Sequence, residues 1–301
     1  MQQNYLIVLV GPTAVGKTQV SIEIAKYFST EVISADARQF YRELNIGTAK
    51  PLGYELKQID HHFINNLSII DRYSVADFEK EALAVIERLF LHKNILVVTG
   101  GSGLFIKAIL EGLDSIPEVS NDTEEHLKIL FRDKGIEALQ LLLKQHDPDY
   151  YKAVDLNNPH RLIRALSVSI SSGKPFSSFL TSKVKNRNFI PVKIGLQLER
   201  KDLYSRIDER TDRMMNEGLL EEVKFLLAHQ HRNSLQTVGY RELISYLNHN
   251  CTLDEAVLKI KQRTRNYAKR QMTWFKKDKE INWFAPNEID NIIMHIERVT
   301  A

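Results

Sequence analysis

Gly11-Pro-Thr-Ala-Val-Gly-Lys-Thr18 sets two glycines, a lysine and a hydroxyl in the order of an anion cradle. The stretch fits G-x-x-x-x-G-K-[ST] at every fixed position. It follows the apolar run Leu6–Val10 and precedes a segment carrying apolar Val20, Ile22, Ile24 and Ala25. Strand, glycine turn and helix in that order are the context the pattern requires. Gly11 and Gly16 let the loop through Pro12, Thr13, Ala14 and Val15 turn its N–H groups inward at an anion, and the following helix adds its positive end. Lys17 supplies a mobile charge and Thr18 a hydroxyl for Mg²⁺. The chemistry is phosphate binding. Which phosphate compound is held, and what is done to it, the motif leaves open.

Three further groups could act beside that cradle. Asp36 directly follows the short strand Glu31–Ala35, which places its carboxylate at the carboxyl edge of an α/β sheet, where the phosphate loop also opens. Gly100-Gly-Ser-Gly103 ends the buried-strand pattern Asn94–Thr99 and brings the Ser102 hydroxyl to the same edge, as ligand contact or as plain turn. Arg206, Arg210 and Arg213 recur on one face of the segment Leu203–Arg213. They either close over phosphates or form an acid-paired face. His61-His62 lacks the i, i+4 spacing of a helical metal site and reads as structural.

The elements that must position these groups alternate. The strands are Leu6–Val10, Glu31–Ala35, Asn94–Thr99 and, as the last, Pro191–Leu198. Ser74 with Asp77 three positions on marks a helix start, and the apolar residues from Phe78 to Phe90 keep a helical period. The alternation predicts an α/β fold, a phosphate-loop parallel sheet with flanking helices. Between 114 and 190 the strand signal disappears, and the segments 124–145 and 160–171 read as helices. This predicts a helical insertion, with 1–113 and 191–301 forming the core. In the insertion His160, Arg161 and Arg164 fall around one helix turn, as surface salt-bridge partners or as phosphate contacts.

The net charge is only +3, yet nine of the Lys and Arg residues lie between Lys259 and Lys279 with one acid, Asp278. On a helical wheel Ile260, Thr264, Tyr267, Gln271 and Trp274 share one face of the segment Leu253–Phe275, and basic residues flank it on both sides. Without compensating acids the segment predicts a nucleic-acid backbone as partner. A single cysteine, Cys251, excludes an internal disulfide and a cysteine-built metal site, and with no membrane-length apolar run or basic leader it points to the cytoplasm.

Taken together these blocks resemble the tRNA dimethylallyltransferase (tRNA isopentenyltransferase) family over nearly the full chain. They are Gly11–Thr18, Ser34-Ala-Asp36 with Gln39-Phe-Tyr-Arg42, Ile46–Pro51, Gly100-Gly-Ser102, Arg161 with Arg164, Val238-Gly-Tyr-Arg241 and Tyr267-Ala-Lys-Arg-Gln271. The resemblance implies that the anion is the diphosphate of dimethylallyl diphosphate, held with Mg²⁺, and that the acceptor is the exocyclic amine of adenosine 37 in tRNA. It implies Asp36 as proton acceptor and Ser102 close to the reacting adenosine, with Arg210 joining the phosphate loop. It assigns tRNA contacts to Asp36, Ala37, Arg38 and Gln39, to His160, Arg161, Leu162, Ile163 and Arg164, and to Thr237, Val238, Gly239, Tyr240, Arg241 and Glu242. Arg265 and Lys269 of the basic segment join them, the insertion meets the anticodon loop, and the enzyme acts as a monomer.

This sequence departs from the family pattern at Ala37, where Ser is frequent, at Ser102, where Thr is frequent, and at Glu124, where Arg is frequent. Ser102 keeps the hydroxyl. Ala37 loses a donor, and Glu124 sets a negative charge where phosphate would approach. A small-molecule kinase or ATPase leaves the basic terminus without a purpose, and a binding protein with a vestigial loop does not explain Lys17, Thr18 and Asp36 together. The related adenylate isopentenyltransferases act on free nucleotide, and Arg161, Arg164 and the basic terminus favour tRNA instead.

Overall fold

A computed structural model describes residues 3–181 and 183–301. In chain order its regular elements are β1 (Tyr5–Val10), α1 (Lys17–Tyr27), β2 (Val32–Ser34), α2 (Gly53–Leu56), β3 (His61–His62), α3 (Val75–Leu89), β4 (Ile95–Gly100) and α4 (Gly103–Glu111). Then come α5 (Asn121–His146), α6 (Pro148–Ala153), α7 (Pro159–Ser172), β5 (Ile190–Leu196), α8 (Arg200–Asn216), α9 (Leu219–Phe225), α10 (Tyr240–Leu247), α11 (Leu253–Phe275), β6 (Asn282–Phe284) and α12 (Ile289–Thr300). Two compact units result, one of Met1–Leu110 with Asn186–Ala301 and the other of Glu111–Lys185. The divisions thus fall a few residues earlier than the strand signal suggests.

In the first unit six strands run in the order β3-β2-β4-β1-β5-β6, every neighbouring pair parallel. β1 is central, and its alternate side chains enter two different cores. Leu6, Val8 and Val10 pack with Phe78, Ala82 and Ile86 of α3 and Ile106 and Ile109 of α4. Ile7 and Leu9 pack with Val20 and Ile24 of α1, Leu203 and Ile207 of α8 and Ile292 and Ile296 of α12. Burial on both faces is why the strand reads as an unbroken apolar run rather than an alternating one. Each such side chain contributes about 1.5–3 kcal/mol of transfer free energy.

Parallel pairing puts the carboxyl ends of all strands at one edge. The turn after β1 is the phosphate loop, β2 leads to Asp36, β4 to Ser102 and β5 to α8, so the order β2-β4-β1-β5 sets these four side by side. The start of α3 is the capping box expected from Ser74 and Asp77: the Asp77 N–H donates to Ser74 Oγ (3.2 Å) and the Ser74 N–H to Asp77 Oδ2 (2.8 Å). Two strands depart from expectation. β5 is not the last strand, because β6 follows it at the sheet edge, and His61-His62 forms β3, with His62 Nε2 2.7 Å from Glu31 Oε2.

Among the described residues the regular elements of the second unit are all helices. α5 bends at Gly135, whose φ of 77° is left-handed, and packs on α7 through Leu139, Leu143, Leu162 and Leu166. Asp147 is fully buried and caps α6: its Oδ1 accepts from the Tyr150 N–H (2.9 Å) and the Ser177 hydroxyl (2.8 Å), its Oδ2 from the Ser177 N–H (2.6 Å).

Candidate active site

The phosphate loop is built around two left-handed positions. Gly16 caps α1 at φ 112°, and Ala14 sits at φ 66°, uncommon for a residue with a Cβ. Gly11 meets β5 so closely that a Cβ there would stand 2.7 Å from the Leu196 carbonyl oxygen. The N–H groups of Gly16, Lys17 and Thr18 have no partner among the described residues, and they open α1 toward an anion. Lys17 Nζ donates to the carbonyls of Gly11 and Pro12, both at 2.9 Å. Burial pulls its pKa down from 10.5 to about 8; the Asp36 carboxylate works against this and Arg210 adds to it.

α8 closes the loop from the side. Arg206 Nη1 donates to the Val15 carbonyl (3.2 Å) and Arg210 Nη2 to Thr13 Oγ1 (2.7 Å). Arg213 is exposed and makes neither contact, so of Arg206, Arg210 and Arg213 only the first two reach the loop. Burial lowers the Arg210 pKa to about 10, against the pull of Asp36, which leaves it charged at neutral pH.

Asp36 accepts the Arg38 N–H on Oδ1 (2.9 Å), a turn that leaves Oδ2 for other work. Ser102 Oγ accepts the Ala37 N–H (3.2 Å), which ties the β4 turn to the β2 turn. Asp36, Ser102, Thr13 and Arg210 all line one cavity of about 250 Å³. Its far wall is apolar, with Met214, Leu219 and Ile260, and Tyr267 of α11 faces it as well. Burial raises the Tyr267 phenol to about 12, helped by Asp36, so it stays protonated. A larger cavity of about 730 Å³, bounded by Arg200, Tyr204, Lys269 and Trp283, contains none of these groups.

The remaining candidates divide by burial. Thr237, Val238 and Gly239 line the 250 Å³ cavity beside Ala37 and Arg38, and Arg241 is exposed. Tyr240 is fully buried, with its hydroxyl donating to Glu222 (2.6 Å), and buried Glu242 pairs with Arg263 (2.5 Å). Those two side chains face the interior. Gln39 is engaged inward too, donating to the carbonyls of Thr48 and Ala49 (3.3 and 3.2 Å). In the second unit His160, Arg161 and Arg164 are exposed, whereas Leu162 and Ile163 belong to its core. Glu124 is paired with Lys128 at 2.7 Å, so the negative charge expected to repel phosphate is met locally.

The expectation of an uncompensated basic helix is corrected by α8 and α10. Arg265 pairs with Asp208 (2.6 Å), Lys261 with Asp212 (2.6 Å) and Arg263 with Glu242 (2.5 Å). The acids come from elements distant in sequence. Lys269 makes no such pair among the described residues. Two groups carry no role in the sequence reading: Glu222, which accepts the N–H groups of Asn45, Ile46 and Gly47 (3.1, 2.8 and 3.2 Å), and Gln271. A signal for the second was present, since a glutamine on the stripe that α11 buries needs polar partners.

This geometry defines an α/β phosphate-loop protein in which Thr13 of the loop shares a cavity with a carboxylate and a hydroxyl. The sequence model of the IPP transferase family matches residues 39–278, and the chain belongs to that family. It is 50% identical over 295 residues to the tRNA dimethylallyltransferase of Christiangramia forsetii, covering 98% of both chains. Its structure resembles the tRNA isopentenylpyrophosphate transferase of Bacillus halodurans at a TM-score of 0.73 and 35% identity, covering 99% of this chain and 97% of that one. It also resembles a eukaryotic dimethylallyltransferase acting on tRNA, at a TM-score of 0.78 and 25% identity, covering 99% of this chain and 77% of the other.

Proposed function

We propose that this chain transfers the dimethylallyl group from dimethylallyl diphosphate to the exocyclic amine of adenosine 37 in tRNA, giving N6-isopentenyladenosine and diphosphate. The observation that carries the reading is the shared cavity: Thr13 of the phosphate loop and Arg210, which holds the Thr13 hydroxyl, line it together with Asp36 and Ser102. A leaving group and an attacking amine are then served at opposite ends of one space.

The phosphate loop binds the diphosphate through the free N–H groups of Gly16, Lys17 and Thr18, with Lys17 and Arg210 above it. As the carbon–oxygen bond breaks these groups meet the charge that develops on the leaving oxygen, a preorganised electrostatic stabilisation. The adenine amine attacks the allylic carbon, and Asp36 takes the proton that the new carbon–nitrogen bond releases. Ser102, fixed by the Ala37 N–H, stands where it orients that amine. Among the described residues no group of three His, Cys, Asp or Glu stands together, so the donor set suits a cation that arrives with the diphosphate and takes one protein ligand, the Thr18 hydroxyl. Mg²⁺ held there supplies charge neutralisation to the diphosphate.

The acceptor base must leave its stack in the anticodon loop to reach such a cavity. In this reading residues 36–38 and 237–239, with exposed Arg241, flank the extruded base, while Gln39, Tyr240 and Glu242 support them from inside. His160, Arg161 and Arg164 of the second unit hold the loop's backbone, with Lys269 as a further phosphate contact. No helix among the described residues is long and apolar enough to cross a membrane. In this reading the enzyme acts as a monomer in the cytoplasm. Incubation with dimethylallyl diphosphate, Mg²⁺ and unmodified tRNA, followed by nucleoside digestion and mass detection, tests the reading. It expects N6-isopentenyladenosine, and its absence with intact protein overturns it.

A further inference from the structure

Gln271 sits about one turn before the end of α11, almost fully buried, and its amide bridges two loops. Its Oε1 accepts the N–H of Thr13 in the phosphate loop (2.8 Å), and its Nε2 donates to the carbonyl of Gly101 in the β4 turn (2.9 Å). These turns carry the two halves of the site, the cradle on one side and Ser102 on the other. A primary amide suits the pair because it offers one acceptor and one donor from the same rigid plane. Glutamate would turn an oxygen toward the Gly101 carbonyl, and alanine would leave a buried N–H and a buried carbonyl unsatisfied, each at a desolvation cost.

The packing around that bond leaves no slack. A Cβ on Gly101 would overlap Gln271 Nε2, and Lys17 Nζ would lie 3.7 Å from the same point. Tyr267, one turn before Gln271 on α11, faces the cavity, so the helix that carries the amide also walls the site. The amide takes the Thr13 N–H out of the set available to a ligand, whereas those of Gly16, Lys17 and Thr18 stay free. The loop N–H groups left to an anion thus begin beyond Thr13.

We propose that Gln271 is a positioning residue that fixes the phosphate loop against the Gly101–Ser102 turn, and so sets the distance between bound diphosphate and the Asp36–Ser102 pair. The inference rests on the transfer reaction proposed above for its catalytic consequence, but its effect on the anion site stands without it. Misplacement of reacting groups by about 1 Å costs on the order of 10²-fold in rate.

The test uses the full chain as wild type, Gln271→Ala, Gln271→Glu, Gly101→Ala and the double variant Gly101→Ala with Gln271→Ala. Two quantities are read for each: inorganic pyrophosphate affinity with Mg²⁺ by calorimetry, and the single-turnover rate of transfer to tRNA, with tRNA affinity measured separately. For Gln271→Ala and Gln271→Glu the expected result is pyrophosphate bound about tenfold more weakly and a rate lowered about 10²-fold, with tRNA affinity kept within about twofold. Gly101→Ala alone should behave likewise, because its methyl displaces the amide. In the double variant the methyl has room, so the losses should not multiply. Unchanged pyrophosphate affinity in both Gln271 variants, or multiplying losses in the double variant, overturns the proposal. Should wild type transfer no label, the reaction reading fails, and the pyrophosphate affinities alone still decide the role of Gln271.

Discussion

The depressed pKa of Lys17 makes diphosphate binding depend on pH. In the free protein the ammonium loses its proton near pH 8, because burial against the Gly11 and Pro12 carbonyls costs it hydration. A bound diphosphate restores an opposite charge beside it and raises the pKa again. Between those values binding takes up one proton, so affinity falls about tenfold per pH unit, or about 1.4 kcal/mol. From pH 7 to 9.5 the loss should reach about 30-fold, roughly 2 kcal/mol. The assay is calorimetric titration with dimethylallyl diphosphate and Mg²⁺ in the absence of tRNA, since an alkyl diphosphate is almost fully ionised above about pH 7. Lys17→Met should bind weakly and show no slope across this window. That control matters because Lys50, also near pKa 8, is held by Tyr41, Asn45 and Asn65 outside the cradle and titrates in both proteins. Stability carries the opposite sign: the unfolded chain keeps the Lys17 proton to about 10.5, the folded chain loses it near 8, so between these values folding gains from rising pH. A wild-type affinity flat from pH 7 to 9.5, or a slope that persists in Lys17→Met, would refute the reasoning.

Three other outcomes follow from named contacts. Asp36→Asn keeps an acceptor for the Arg38 N–H but removes the base, so single-turnover transfer should fall about 10²–10⁴-fold while tRNA affinity in filter binding stays within about twofold; a rate within tenfold of wild type contradicts the assignment. Arg161→Ala, on the exposed face of α7, should weaken tRNA binding and reduce the log–log salt slope by about one, with the rate at saturating tRNA unchanged. An unchanged salt slope removes Arg161 from the interface. Asp147→Ala strips three hydrogen bonds from a fully buried cap and should cost about 2–3 kcal/mol in urea denaturation, with amide exchange quickened within 111–185. Loss below about 0.5 kcal/mol would contradict its role as the clasp of that unit.

The phosphate loop was legible in the sequence because its chemistry constrains residue type: only glycine tolerates φ 112° at position 16 cheaply, and only a cation and a hydroxyl serve at 17 and 18. Asp36 and Ser102 were legible because strand ends in a parallel sheet share an edge. β6 was not, since three residues at a sheet edge carry no periodicity to read. Pairing across the chain was equally hidden. The basic run of α11 is bare when counted along the sequence, and in space Asp208, Asp212 and Glu242 answer three of its cations. Blocks that match a family pattern also mix exposed and buried roles. Arg161 and Arg241 point outward, whereas Leu162 and Tyr240 between or beside them serve the cores, and residue spacing alone does not separate the two.

Prenyl transfer to one base of a folded RNA is tested by a labelled donor offered three acceptors. Dimethylallyl diphosphate carrying radiolabel in its alkyl group is incubated with Mg²⁺ and, in parallel, with unmodified tRNA bearing adenosine 37, the same tRNA bearing guanosine there, and free AMP. Label is expected in the first alone. Label in AMP would make the enzyme a nucleotide prenyltransferase, and no label in any acceptor, with ATP hydrolysed instead, would contradict the transfer chemistry altogether.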